Sequence, residues 1–561
     1  MNILTVIPIA RGISKDTLSY FTKKDVPVGS IVSIPLRKKR AYGLVVESKT
    51  ASEAKSEIKT LPYSIKKVGG VESRSFLSPA FIKSAEKIAD YNAASTGAVL
   101  SVLIPKPILE ESVKFSHITK ESPRSSFYET VLLQTDDEER YATYRSLIRE
   151  EFAKNRSIFC CLPTTEELLN AKEILEKGIE KYTYILHSGL SKKEILSAWQ
   201  KIISEKHPVL IIATGYFIGI PRNDLGVIIL EKESSRAYKT LSRPFLDIRD
   251  VAKTIAKQLN IRLVLGDLFL RVETLWKGKS LTYSELSPLK FRSLSTAVLE
   301  VIDVHSPANM KKKEFSVLGD ALKKMLQQAR ANNEQTFLFC GRKGLYPETI
   351  CSDCGTPVTC KNCNAPVVLY GKTSKRLFVC HHCGERRDAD ELCRNCGGWR
   401  LLSLGIGIEK VLEEIKSVLD NTKIFIMDKD HIKNHKQAVK MRDSFYNTPG
   451  AICLGTEMAL PYLKDKIENT AVVSLDSYFS IPDFRINEKI FHILLSLRAL
   501  AEKRMVVQTR REDRRIFDYA LHGNLIDFYR DEIEERKLVG YPPFATHVKI
   551  TLEGEKNKMK K

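Results

Sequence analysis

Eight cysteines stand in four C-x2-C knuckles within the 46 residues from Cys351 to Cys396. They are Cys351 and Cys354, Cys360 and Cys363, Cys380 and Cys383, Cys393 and Cys396. Two intervening residues let both thiolates of a knuckle turn toward one tetrahedral ion. Four thiolates close a structural zinc site, so eight predict two zinc ions. Gly355, Gly384 and Gly397 follow three of the knuckles, where a tight turn favours a residue without Cβ. Disulfides and coincidence are the plain alternatives, and the regular spacing argues against both. His381 and His382 lie beside Cys383 and are expected to be solvated. Four knuckles pair in three ways, and spacing alone does not choose. Cys160, Cys161, Cys340 and Cys453 stand apart in apolar segments, where a buried thiol is the expected state.

The pattern around this module is α/β. At 561 residues the chain is long enough for about three to five domains. Apolar runs TVLLQ, SIFCCLP, YTYILH, VLIIAT, GVIIL and RLVLG alternate with charged helical stretches, the signature of a parallel sheet. A second series, QTFLFC, KIFIMD, AICLG, TAVVSLD and MVVQT, predicts a second such lobe, with the cysteine module inserted after its first strand. The first 60 residues read as short strands of a small β-barrel, whose basic hairpin carries Arg37, Lys38, Lys39 and Arg40. Ser78-Pro79 opens a helical stretch compatible with a winged helix. The longest apolar run, near 209–220, is too short to span a bilayer, and the N-terminus lacks a signal-peptide pattern. Lys and Arg outnumber Asp and Glu by 89 to 68, a net charge of +21 that points to nucleic acid.

These segments together resemble the PriA family of replication-restart helicases. VPVGSIVSIPLRKKRAYGLVVES is similar to the family's 3′-end DNA-binding β domain, and FLSPAFIKSAEKIADYNAASTGAVLSVLIP to its winged-helix segment. LHSGLSKKEILSAW, FCGRKGLYPETICSDCG, LGIGIEKVLEEI, DSYFSIPDFRINEKIF and ERKLVGYPPF continue the resemblance through both lobes. It implies two RecA-like lobes around the metal module. It also implies a pairing: Cys351, Cys354, Cys393 and Cys396 for one zinc, and Cys360, Cys363, Cys380 and Cys383 for the other.

The family's motor residues are missing. A phosphate loop needs glycines, a lysine and a Ser/Thr for Mg²⁺. After TVLLQ this chain instead has Thr135, then Asp136, Asp137, Glu138 and Glu139. The family's DEEH is represented by Glu231-Lys232-Glu233-Ser234, with Lys232 at the catalytic acid position. Its Ser-Ala-Thr motif is replaced by Gly266-Asp267-Leu268-Phe269. Leu500 and Lys503 stand at its two finger-arginine positions, and Gly455–Leu460 loses the Lys-Gly end of another motif. Ser19 stands at the position of an Asp that helps hold a DNA 3′ terminus, and only about 17 residues follow Phe544, where the family has a further domain.

The expected organisation is a β-rich DNA-binding domain (1–75), a winged-helix-like segment (76–115), degenerate lobe 1 (120–290), degenerate lobe 2 (291–350 and 398–522), a double zinc module (351–397) and a truncated C-terminal domain (523–561). The expected function is a cytoplasmic, nucleoid-associated DNA-binding protein of replication restart. It would recognise forked or single-stranded DNA through Arg37–Arg40, with no catalytic residues and no ATP or Mg²⁺. Restart proteins, single-strand-binding protein and the replicative helicase or its loader are the partners the resemblance implies; no membrane is involved. The alternatives are an active 3′–5′ helicase with an unrecognised nucleotide site, and an interaction scaffold whose DNA binding has decayed.

Overall fold

The computed structural model describes residues 1–13, 15–36, 39–55, 64–73, 77–115, 127–280, 282–304, 316–341, 348–351, 353, 356–362, 365–370, 376–380, 383–404, 408–419, 421–481, 483–510 and 515–548. The chain divides into two units, Met1–Leu289 and Lys290–Lys561.

The first unit opens with β1 (Asn2–Pro8), β2 (Leu18–Thr22), β3 (Ile31–Leu36), β4 (Lys39–Thr50), β5 (Lys66–Lys67) and β6 (Gly70–Ser73). They form one sheet in the order β5-β2-β1-β4-β3-β6. Consecutive strands β5 and β6 thus occupy opposite edges, although only Val68 and Gly69 join them. Two residues reach about 7 Å at most, so the sheet must roll until its edges meet. The Val68 amide donates to the Phe21 carbonyl of β2 at 3.0 Å and the Gly69 amide to the Ser33 carbonyl of β3 at 2.7 Å, one bond to the strand next to each edge. Leu4, Val6, Tyr20, Val32, Ile34 and Val45 pack together inside the roll.

Helices α1 (Pro79–Tyr91), α2 (Thr96–Leu103) and α3 (Lys106–Glu110) follow. The Ser78 side chain accepts from the Phe81 amide at 3.2 Å, and Pro79 takes the first turn, as the sequence signal predicts. No strand accompanies these helices among the described residues of 77–115, so the wing of a winged helix is not seen there. A Cβ at Gly97 would lie 1.9 Å from the Pro8 carbonyl oxygen, so only glycine lets α2 press onto β1 this closely.

The first lobe comprises β7 (Thr130–Gln134), α4 (Asp137–Ala153), β8 (Ser157–Leu162), α5 (Thr165–Leu175), β9 (Thr183–Leu186), α6 (Lys192–Ser204), β10 (Leu210–Thr214), β11 (Leu225–Glu231), α7 (Ile248–Leu259), β12 (Arg262–Asp267), α8 (Val272–Lys279) and β13 (Ser284–Glu285). Its parallel sheet runs β13-β7-β12-β11-β8-β10-β9. Every residue of β7, β8, β10 and β11 is buried, because helices cover both faces. Cys160 and Cys161 point into the two opposite cores, one on each face.

The second unit contains β14 (Val298–Asp303), α9 (Asp320–Ala331), β15 (Thr336–Cys340), β16 (Glu348–Cys351), β17 (Val368–Tyr370), β18 (Leu377–Val379), β19 (Arg386–Asp388), β20 (Leu401–Leu404), α10 (Ile408–Val418), β21 (Ile424–Met427), α11 (His435–Tyr446), β22 (Ile452–Gly455), β23 (Ile467–Ser474), α12 (Ile486–Leu500), β24 (Ala501–Thr509), α13 (Arg515–His522) and α14 (Leu525–Val539). A parallel sheet runs β14-β24-β23-β15-β22-β21. The apolar pattern does not predict β14: as an edge strand half open to solvent it alternates, VLEVID, and lacks the continuous run of its neighbours. The cysteine module lies between β15 and α10, on an antiparallel pair β16–β20 and a small sheet β17-β18-β19. No helix among the described residues is long and apolar enough to cross a membrane.

Candidate metal centres and the crevice of the first lobe

The module gathers its described cysteines into two groups. Cys351, Cys393 and Cys396 have sulfurs mutually within 4.8 Å, and so do Cys360, Cys380 and Cys383. Cys354 and Cys363 lie outside the described residues. The Cys351 and Cys396 sulfurs are 3.6 Å apart, and those of Cys360 and Cys383 are 3.4 Å apart. A disulfide would bring them to about 2 Å. Tetrahedral ligands at a Zn–S length of about 2.3 Å are separated by about 3.8 Å, so the observed spacing fits an ion and not a bond. Cys351, Cys360, Cys380 and Cys393 are buried, while Cys383 and Cys396 are exposed.

Backbone hydrogen bonds make the knuckles. The Gly384 amide donates to Cys380 O at 3.0 Å and the Gly397 amide to Cys393 O at 2.9 Å. Both glycines have positive φ, +79° and +72°, where a side chain would be strained. Around the sulfurs pack Val367, Phe378, Ala389 and Leu401, a core too small to hold a fold without its ligands. Among the described residues, Cys351 is thus brought together with Cys393 and Cys396, and Cys360 with Cys380 and Cys383.

The crevice of the first lobe lies at the carboxyl ends of β7, β12 and β11, where open α/β sheets bind ligands. Helix α4 begins there. Its N-cap is Asp136, whose carboxylate accepts the Glu139 amide at 3.0 Å. Asp137 and Glu138 are exposed in the first turn, and Glu139 accepts from the Thr135 hydroxyl at 2.8 Å. Four carboxylates thus complement the helix dipole where a phosphate would otherwise sit.

Arg140 fills the space beneath them. It is wholly buried, and so is Glu231 at the end of β11. Arg140 Nε donates to both Glu231 oxygens at 3.0 and 2.8 Å, and Nη2 donates to Oε1 at 2.6 Å. The guanidinium also donates to Thr135 O at 2.6 Å and to Asp137 at 2.7 Å. Tyr144 Oη completes the group with a 2.7 Å bond to Glu231 Oε2. Burial works against the Arg140 charge, but Glu231 and Asp137 outweigh it and hold the guanidinium well above its ordinary value. A Cβ on Gly266 would stand 1.7 Å from the Tyr144 oxygen, so this glycine is needed for the approach.

The next two positions are also engaged. Lys232 adopts φ +54° and pairs with Glu167 at 3.1 Å. Burial opposes its charge, but Glu167, Asp137 and Glu231 together raise its pKa. Glu233, fully buried, accepts from Arg271 Nε at 2.6 Å, the Arg271 amide at 3.0 Å and the Thr274 hydroxyl at 2.8 Å. Asp267 accepts the Ser234 amide at 2.8 Å. Arg140, Lys232 and Arg271 are therefore each taken by a carboxylate of the chain. The residues present do not fit a magnesium nucleotide: its phosphates would meet four acids, no glycine turn and no uncommitted cation among these three.

Leu500 ends α12 half-buried, and Lys503 pairs with Glu334 at 2.9 Å. Lys39 and Arg40 are exposed at the start of β4, opposite β3, while Arg37 and Lys38 lie outside the described residues. Ser19 is half-buried on β2, opposite Thr5. The motif comparison does not single out Arg140, Tyr144 or Arg271. A signal exists nonetheless: Glu231 closes the apolar run LGVIIL, and a carboxylate at the end of a buried strand requires a cation.

Known relatives fit this arrangement. A family model of the PriA 3′DNA-binding domain (3′BD) matches residues 6–105, taking in both the rolled sheet and helices α1 and α2. The replication restart protein PriA of Rickettsia prowazekii is 25% identical over 96% of this chain and 85% of its own length. That of Helicobacter pylori is 25% identical over 94% of this chain and 83% of its own. The chain is thus similar to replication restart proteins PriA over most of its length. Among solved structures, RecG bound to a three-way DNA junction is similar over 89% of this chain and 50% of that one, at 10% identity and a TM-score of 0.40.

Proposed function

We propose that this PriA-family chain is a DNA-binding zinc protein of replication restart that recognises forked or single-stranded DNA without hydrolysing ATP. The observation that carries the loss of activity is the crevice, where Arg140 and Glu231 satisfy each other in the space a nucleotide would need. DNA affinity would come from phosphate contacts, which need no nucleotide. Arg37, Lys38, Lys39 and Arg40 are the proposed contacts in the β domain. The net charge of +21 supports that reading.

Two zinc ions are proposed, one held by Cys351, Cys354, Cys393 and Cys396 and one by Cys360, Cys363, Cys380 and Cys383. A closed four-thiolate shell leaves no open coordination position, so the metal would supply folding energy to the module and no chemistry. Restart proteins, single-strand-binding protein and the replicative helicase or its loader are the proposed partners, in the cytoplasm.

The test uses purified, zinc-loaded protein with radiolabelled ATP and a DNA fork. Expected is a shifted fork in a gel and phosphate release no greater than without protein. Fork-stimulated release would reinstate the active helicase. Absence of both binding and release would leave the interaction scaffold.

A further inference from the structure

We propose that a groove on the second lobe, between the start of β21 and helix α11, is a second docking track for the DNA sugar–phosphate backbone. It rests on the DNA-binding reading above and adds a site to it. The groove is lined by Lys423, His435, Lys436, Lys440, Asn447 and Thr448, among others. Lys423 immediately precedes β21, and Asn447 and Thr448 follow α11. The groove therefore extends toward the amino ends of the strands, away from the carboxyl ends where such sheets bind ligands.

Lys436 and Lys440 are four residues apart on α11, so they share one face about 6 Å apart along the axis, close enough for neighbouring phosphates of one strand. Lys423 faces them across the groove, and all three lysines are exposed. One acid, Asp443, also lines the groove, and it and the neighbouring Asp428 are each already engaged. Asp428 accepts from the His431 amide at 2.8 Å and from its ring Nδ1 at 2.7 Å. Asp443 accepts from Arg442 Nε at 2.8 Å. No carboxylate pairs with Lys423, Lys436 or Lys440 among the described residues. Three ammonium groups face one carboxylate, Asp443, that Arg442 already engages, so the concavity keeps an excess of positive charge for several negative groups.

The rest of the lining decides between anionic partners. Val439 is its one aliphatic member, and Ser444, Asn447 and Thr448 supply hydroxyl and amide groups. A protein partner needs a dry apolar or aromatic anchor at the centre of its interface, which this groove lacks. A phosphate backbone needs cations and small polar donors, which it has.

The test compares full-length, zinc-loaded protein with the triple variant Lys423→Gln, Lys436→Gln, Lys440→Gln. A charge-matched control carries Lys177→Gln, Lys193→Gln and Lys206→Gln, three exposed lysines of the first lobe. The probe is a fluorescein-labelled forked DNA, titrated across salt. If each groove lysine neutralises one phosphate, the slope of log K against log salt falls by roughly 2.5–3 units in the groove variant alone. Unchanged circular dichroism establishes that the variant is folded. Equal slopes in the groove variant and the control, with wild type binding the fork, overturn the groove and leave the DNA-binding reading intact. No fork binding by wild type overturns both.

Discussion

Arg140 and Glu231 are both fully buried, and neither charge is tolerable without the other. Removing one partner of such a pair leaves an uncompensated charge, which costs about 3–5 kcal/mol, whereas replacing both by apolar residues of similar volume is often neutral. Arg140→Met is therefore expected to lower stability by about that amount, and Arg140→Met with Glu231→Leu to recover most of it, as read from denaturant midpoints. If the pair were incidental, the single substitution would be as mild as the double. A second buried group sets a pH dependence. Arg536 contacts both Glu488 and Glu532, and its Nε donates to Glu532 at 2.9 Å. Burial, which Arg536 only partly offsets and Glu488 reinforces, pushes the Glu532 carboxyl up from 4.5 to about 7. Because the folded group titrates above the unfolded one, its protonated form stabilises the fold fully below about 4.5, and that contribution is lost as pH rises through about 7. The shift is worth about 3 kcal/mol. Glu532→Gln is expected to flatten the fall in stability between pH 5 and 8, measured by unfolding of the two proteins across that range.

At the scale of elements, the interior strands are legible because their surroundings leave no alternative. SIFCCL and LIIAT are buried at every residue, so they read as unbroken apolar runs. Helix α4 is legible for the opposite reason: DDEE after a strand is an acid-rich first turn, and Asp136 does cap it. What local pattern does not carry is pairing at a distance. The Arg140–Glu231 bond joins residues 91 positions apart, and the curl of the N-terminal sheet depends on two residues, Val68 and Gly69, bonding to β2 and β3 at opposite sides of the sheet. The cysteine grouping is intermediate, since spacing predicts two ions but leaves three pairings open. On the proposed two-zinc reading, the module depends on both sites. Cys351 ends β16, paired to Leu401 of β20, so losing its thiolate opens one site and the strand pair together. Cys351→Ser is expected to reduce zinc from two ions per chain to about one by elemental analysis, because an open site forfeits much of its binding free energy. Hydrogen exchange is expected to accelerate in β16 and β20 while β15, β22 and β23 stay protected.

At the scale of the whole molecule, the chain builds two parallel α/β sheets, and in the first lobe its own side chains fill the crevice at the strands' carboxyl ends. The scaffold is readable in the sequence because a parallel sheet needs only apolar strands in order. The missing phosphate-loop residues are readable because phosphate binding needs particular residues at particular places. A net charge of +21 attracts DNA generally, but a diffuse field and a defined contact respond differently to salt. Counterion release counts the phosphates actually neutralised, at a slope of about −0.9 for each on duplex DNA. Strand β3 ends at Leu36 and β4 begins at Lys39, paired with it, and Lys39 and Arg40 are exposed there, while Arg37 and Lys38 lie outside the described residues. Replacing all four by Gln is expected to reduce the slope by roughly 3–4 units if each meets a phosphate. It changes the net charge by less than a fifth, so a purely diffuse attraction would scarcely register the loss. Fork titrations across salt separate the two, and a slope unchanged by the fourfold substitution would mean that the hairpin end is only solvated.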